Sequence, residues 1–203
     1  MKKFTIGIIC FLTGISLSSS AVFAEAEVGP GVEKPASTSD ILISDMYHIY
    51  VRGTDDKTAA GVLSALSKID PDVLRSFTDA GGKIYLKDYV FFNGSEVKGL
   101  TTFNDKMILV SIHDSTASDA ADGISEILLH EFGHYIYEFS PMSDAQRSEI
   151  YEIYADWNKY NPYFYNDHET YAQLYRYIKT DSNFMDYLPQ GTGQTVLDIE
   201  ELL

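Results

Sequence analysis

Residues 130–134 read His130-Glu131-Phe132-Gly133-His134, an H-E-x-x-H spacing. Histidines four apart on a helix lie one turn apart on the same face, so both imidazoles can reach one zinc ion (Zn2+). The intervening Glu131 is rotated toward the position such an ion leaves open. There it can take a proton from water and pass it to a leaving amine. The surrounding residues support a helix: Ile124, Ile127, Leu128, Phe132, Tyr135, Ile136 and Phe139 give it a continuous packing surface. Gly133 sits in its interior, where glycine costs about 1 kcal/mol relative to alanine. That cost predicts another element in close approach at this position.

Two histidines do not complete a catalytic zinc site, which usually has three protein ligands. The longer H-E-x-x-H-x-x-G-x-x-H pattern fails, because Tyr137 and Ser140 occupy the glycine and last histidine positions. A glutamate from a later helix is the other common solution. Glu152, in Glu152-Ile153-Tyr154-Ala155-Asp156, has an E-x-x-x-D spacing similar to thermolysin-like enzymes. Glu169, in Glu169-Thr170-Tyr171-Ala172-Gln173-Leu174-Tyr175-Arg176, follows Asn166 at a capping spacing and has that structural role open to it as well. Local chemistry leaves both candidates standing.

The two segments together, HEFGH followed by ETYAQLYR, resemble the catalytic domain of anthrax lethal factor and the related secreted Pro-Pro endopeptidases. The resemblance implies a zincin-like metallopeptidase fold over roughly residues 41–190, zinc on His130, His134 and Glu169, and Glu131 as general base. It implies a protein or peptide substrate cut beside or between prolines. This chain departs from the family at two positions. Gln173 replaces a glutamate expected one turn after the ligand; it keeps a hydrogen-bond acceptor with which to orient a ligand histidine, but brings no charge. Pro162 stands where the family carries a tyrosine that stabilises the oxyanion. Tyr163 is adjacent and is the expected donor of that hydroxyl, with Tyr165 as the alternative. These departures motivate a second reading, a zincin scaffold that binds a peptide without cutting it.

The elements that must position these residues follow from patterning. Strand-type runs cover 47–52, 83–92, 100–103 and 107–112, with a hairpin signal at Asn93-Gly94. The spacing predicts helices over 58–69, from Pro71 to Gly81-Gly82, from Ser118 or Asp119 to Phe139, from Ser143 to Tyr160 and from Asn166 to Lys179, with short helices near 182–188 and 195–202. This is an α+β domain with a small mixed sheet and a mostly helical C-terminal half. The strand over 107–112, just before the motif helix, is expected to lie near the cleft and pair with substrate backbone, and the loop 93–99 to cover that edge and select substrate. Eleven of the fifteen tyrosines fall between Tyr135 and Tyr187, where the cleft is expected. Tyrosine suits core and rim alike.

Composition bounds the remaining classes. With 15 basic and 30 acidic residues the net charge is −15, which opposes a nucleic-acid or anionic-membrane partner, since both require a basic face. Met1-Lys2-Lys3, the apolar run to Leu17 and the small residues to Ala24 form a secretory signal pattern, shorter than the ~20 residues of a membrane span. Cleavage after Ala24 removes Cys10, the only cysteine, and leaves a secreted, cysteine-free chain expected to act as a monomer. Residues 25–40, rich in Gly, Pro, Ser and charge, read as a flexible leader to a zinc metallopeptidase domain over 41–203. No D-x-[DN]-x-[DN]-G loop supports calcium.

Overall fold

A computed structural model describes residues 41–44, 49–52, 56–113, 120–159 and 166–203. The signal and leader segments, Tyr163 and Tyr165 lie outside the described residues. The order is β1 (Ile41–Ser44), β2 (Ile49–Arg52), α1 (Asp56–Leu66), α2 (Pro71–Asp79), β3 (Lys83–Lys87), β4 (Val90–Phe92), β5 (Ser95–Val97), β6 (Gly99–Thr102), β7 (Met107–Ser111), α3 (Ala120–Phe139), α4 (Asp144–Trp157) and α5 (Asp167–Thr180). A 3-10 turn (Ser182–Tyr187) and α6 (Thr192–Glu200) follow. The domain is mixed α+β and mostly helical. Among the described residues, no helix is long and apolar enough to cross a membrane.

Five strands form one sheet in the order β1-β2-β3-β7-β6. β2, β3 and β7 run parallel, and the outer strands β1 and β6 pair antiparallel to their neighbours. The expectation that the strand over 107–112 offers the free edge is corrected here: β7 is interior, between β3 and β6, and β6 is the edge. The expected strand over 83–92 is two strands in different sheets. β3 ends at Lys87, and Val90–Phe92 instead pairs with β5 in a hairpin across Asn93-Gly94. Positive φ at both turn residues, 50° and 79°, suits this tight two-residue connection. The alternation seen in the sequence still holds, since Ile84, Leu86 and Val90 are all buried.

Ile84 and Leu86 lie beside Ile108 and Val110 in register, and these residues join Val62, Leu66, Ile124, Leu128 and Phe132 in one core with α1 and α3. Phe77 of α2 meets Phe132 and Tyr135 edge-on, each at 5.1 Å between ring centres. Asp70 caps α2 with Pro71 behind it, and Ser143 and Gln146 form a reciprocal capping box on α4. Buried Glu200 of α6 accepts from the Tyr175 hydroxyl (2.7 Å) and the Asp70 N–H (2.9 Å), and pairs with Lys179 (2.5 Å). One carboxylate thereby ties α6, α5 and the start of α2 together, with its burial compensated by three partners.

The tyrosines divide between core and surface: Tyr135, Tyr137, Tyr171 and Tyr175 are fully buried, whereas Tyr151 and Tyr187 are exposed. The four buried rings form one group. They surround the seam where α3 crosses α5. At that seam a Cβ on Gly133 would lie 2.6 Å from the Cα of Ala172. The mid-helix glycine is therefore a close-approach position, and its helix-propensity cost is offset by backbone contact. Gly133→Ala should lower stability by about 1–3 kcal/mol, although alanine is the better helix former. Thermal or urea unfolding checks this, and a variant as stable as the wild type would refute the close-packing account.

Candidate metal centre

His130 and His134 stand one turn apart on α3, half-buried, with their Nε2 atoms 3.2 Å apart. Glu169 arrives from α5. The Asn166 side chain accepts the Glu169 N–H at 2.9 Å and so caps the helix, which places Glu169 in its first turn. The Glu169 carboxylate does not return to the cap. Its Oε1 lies 3.2 Å from His130 Nε2 and its Oε2 3.4 Å from His134 Nε2. The competition between capping and ligand roles left open in the sequence is thus divided: Asn166 supplies the cap, and the glutamate side chain goes to the histidines.

These separations test whether the group fits a metal ion. Donors bound to zinc at 2.0–2.1 Å in a tetrahedral arrangement lie about 3.3 Å apart. The two Nε2 atoms lie 3.2 Å apart, and each has its own Glu169 carboxylate oxygen at 3.2 or 3.4 Å, close to that figure. Two imidazoles and one carboxylate are also a donor set suited to zinc. Among the described residues this is the one cluster of three such side chains able to hold a metal. Glu152 is exposed on α4 and outside this cluster.

The electrostatics of the triangle favour positive charge within it. Burial acts to raise the Glu169 carboxyl, but the two imidazoles outweigh it and hold the group well below the usual carboxylate range. Burial acts to lower His134, and the Glu169 and Glu131 carboxylates outweigh that and raise it. His168, next to Glu169, is turned elsewhere. Its ring packs on Tyr137 at 4.2 Å, its Nε2 lies 3.9 Å from Glu138, and burial pushes it down to about 4. The Tyr137 hydroxyl donates to Asp167 at 2.5 Å, joining α3 to the first turn of α5 beside the triad. Burial, reinforced by Asp167, pushes that phenol up, so it stays a donor.

Glu131 follows the first histidine but turns toward the sheet. It is 4 % exposed, which is unusual for a glutamate and calls for partners. Thr101 of β6 supplies one: its hydroxyl lies 2.7 Å from Glu131 Oε2 and 2.9 Å from the Glu131 carbonyl oxygen. Gly99, two residues earlier on β6, faces the same carboxylate, and a Cβ there would fall within 2.8 Å of its Cδ and Cγ. Neither residue was identifiable as functional from spacing alone. A glycine inside a strand was the available signal, since it marks close approach of another group. Gln173 lies one turn beyond Glu169, half-buried, and its side chain makes no hydrogen bond to another described residue.

No protein-family model matches this chain, and no curated protein matches it.

Zinc content separates the two glutamate candidates. Glu169→Ala should weaken zinc binding by more than about 100-fold, beyond the effect typical of outer partners. Glu152→Ala should leave it unchanged. Competition with a chromogenic chelator reads both, and full zinc retention by the Glu169 variant would overturn the assignment.

Proposed function

We infer that this chain is a secreted zinc-dependent endopeptidase of zincin type, resembling the lethal-factor and Pro-Pro endopeptidase family. The observation that carries the reading is the cluster of donors on His130, His134 and Glu169, close enough together to hold one metal ion, with Glu131 on the same helix. Secretion rests on the signal pattern of residues 1–24, and cleavage beside or between prolines rests on the resemblance.

Bound zinc would supply Lewis acidity to water and to a peptide carbonyl. The chain's own groups do the rest. His130 and His134 hold one face, and Glu169 completes it from α5. Glu131 takes a proton from the attacking water and passes it to the leaving amine. A tyrosine hydroxyl, assigned to Tyr163 by resemblance, assists the oxyanion.

Substrate binding is assigned to β6. Ser111 N–H donates to Lys98 O at 2.7 Å, which fixes the alternation of the β6–β7 ladder. Lys98 and Leu100 then face β7 with their backbone groups, while Gly99 and Thr101 direct theirs to the open edge. An extended peptide added there would meet backbone partners beside the base. The β4–β5 hairpin leads into this edge and carries exposed Phe91 and Phe92, in keeping with an apolar substrate segment.

Incubation of the zinc-loaded protein with a peptide library that includes proline-rich members tests the reading. Glu131→Gln should lower kcat/KM by about 10²–10⁴-fold while zinc content holds. Absence of turnover by the wild type on every peptide would refute the protease and favour a peptide-binding scaffold.

A further inference from the structure

We propose that Thr101 is a positioning residue for Glu131, and that β6 thereby joins the peptide-binding edge to the general base. The proposal rests on the protease reading above for its catalytic consequence, and on geometry alone for the contact.

A glutamate on a helix has three rotatable side-chain bonds before its carboxylate, and nothing in α3 itself fixes them. The groups that fix Glu131 come from β6. The Thr101 hydroxyl has one proton, and its two acceptors both belong to Glu131: the carboxylate at 2.7 Å and the carbonyl at 2.9 Å. The hydroxyl is therefore aimed at this one residue and at no other described acceptor. Thr101 is itself buried at 9 % exposure, so water is a poor substitute for it. On the other side Gly99 leaves space that any larger residue would fill. The carboxylate is thus held between a donor and a bare backbone.

The same two residues direct their backbone groups to the open edge of the sheet. The Thr101 side chain and the bare Cα of Gly99 face α3, and the N–H and C=O groups of both residues face away from β7. A peptide paired to that edge would contact the residues that hold the base. Thr101 would then act on turnover more than on affinity, because its hydroxyl touches Glu131 and not the peptide.

Thr101→Val removes the donor at nearly constant shape, and Thr101→Ser restores it. The valine variant should lose roughly 10–100-fold in kcat, with KM and zinc content near wild type, because small misplacement of a reacting group is costly. The serine variant should recover most of that loss. Crystal structures give a readout independent of turnover: the Glu131 carboxylate should be displaced or split between positions in the valine variant and single in the serine variant. Gly99→Ala should displace it from the other side. Wild-type kcat in the valine variant, or a serine variant as impaired as valine, would overturn the proposal. An inactive wild type would refute the protease reading alone. The crystal structures would then decide Thr101, and an unmoved Glu131 in the valine variant would overturn it.

Discussion

The close approach of α3 and α5 at Gly133 and Ala172 is the constraint on which the rest depends. Two histidines and a glutamate have fixed side-chain lengths. They bring donor atoms to about 3.3 Å only if the two backbones come near enough. Gly133 lies one residue before His134, and Ala172 one turn after Glu169, so the contact falls beside the cluster. Small residues there let the helices touch by backbone. A larger pair would hold the carboxylate away from the imidazoles while leaving each helix intact.

Contacts on both sides set the register along this seam. Tyr137 and Asp167 meet at the start of α5, and Glu126 and Arg176 meet at 3.5 Å further along it. The two are unequal in worth. Tyr137 is fully buried, and its bond to a carboxylate is of the stronger, charge-assisted kind. Glu126 is half exposed, and such pairs contribute little to stability. Register therefore depends chiefly on the Tyr137 end, nearest the His130–His134–Glu169 cluster. The stacked core tyrosines extend the same seam away from the site, with Tyr171 and Tyr175 6.3 Å apart in nearly parallel planes.

Features encoded over a few residues were legible before folding was considered. The histidine pair, the caps at Asp70, Ser143 and Asn166, and the Asn93-Gly94 turn each depend on neighbours within about one turn of chain. Gly133 was legible as an anomaly whose partner was not, because Ala172 is distant in sequence. The choice between Glu152 and Glu169 was likewise closed to local reasoning: both glutamates lie on helices, and the difference is which helix crosses α3. Strand patterning gave burial for Ile84, Leu86 and Val90 but not the break at Asp88-Tyr89, since alternation survives a change of sheet. It could not order the strands either. Whether β6 or β7 forms the edge depends on pairing between segments, and no periodicity within a segment records that.

Charge reads differently at the scale of the chain and of the site. A net −15 describes a surface that repels polyanions, and it says little about a single buried point. At the triad two carboxylates, Glu169 and Glu131, act on His134 and favour its charged form, while the imidazoles favour the ionised form of Glu169. Both shifts have one cause: the cluster is built so that positive charge within it is favourable. The α5 N-terminus separately stabilises the negative Glu169 in its first turn. A proton and a metal cation meet the same field there and compete for the same imidazole nitrogens. The cation has the advantage of engaging all three donors at once, which a proton on one ring cannot do. Geometry, and not charge alone, is therefore what would favour a metal over a proton at this cluster.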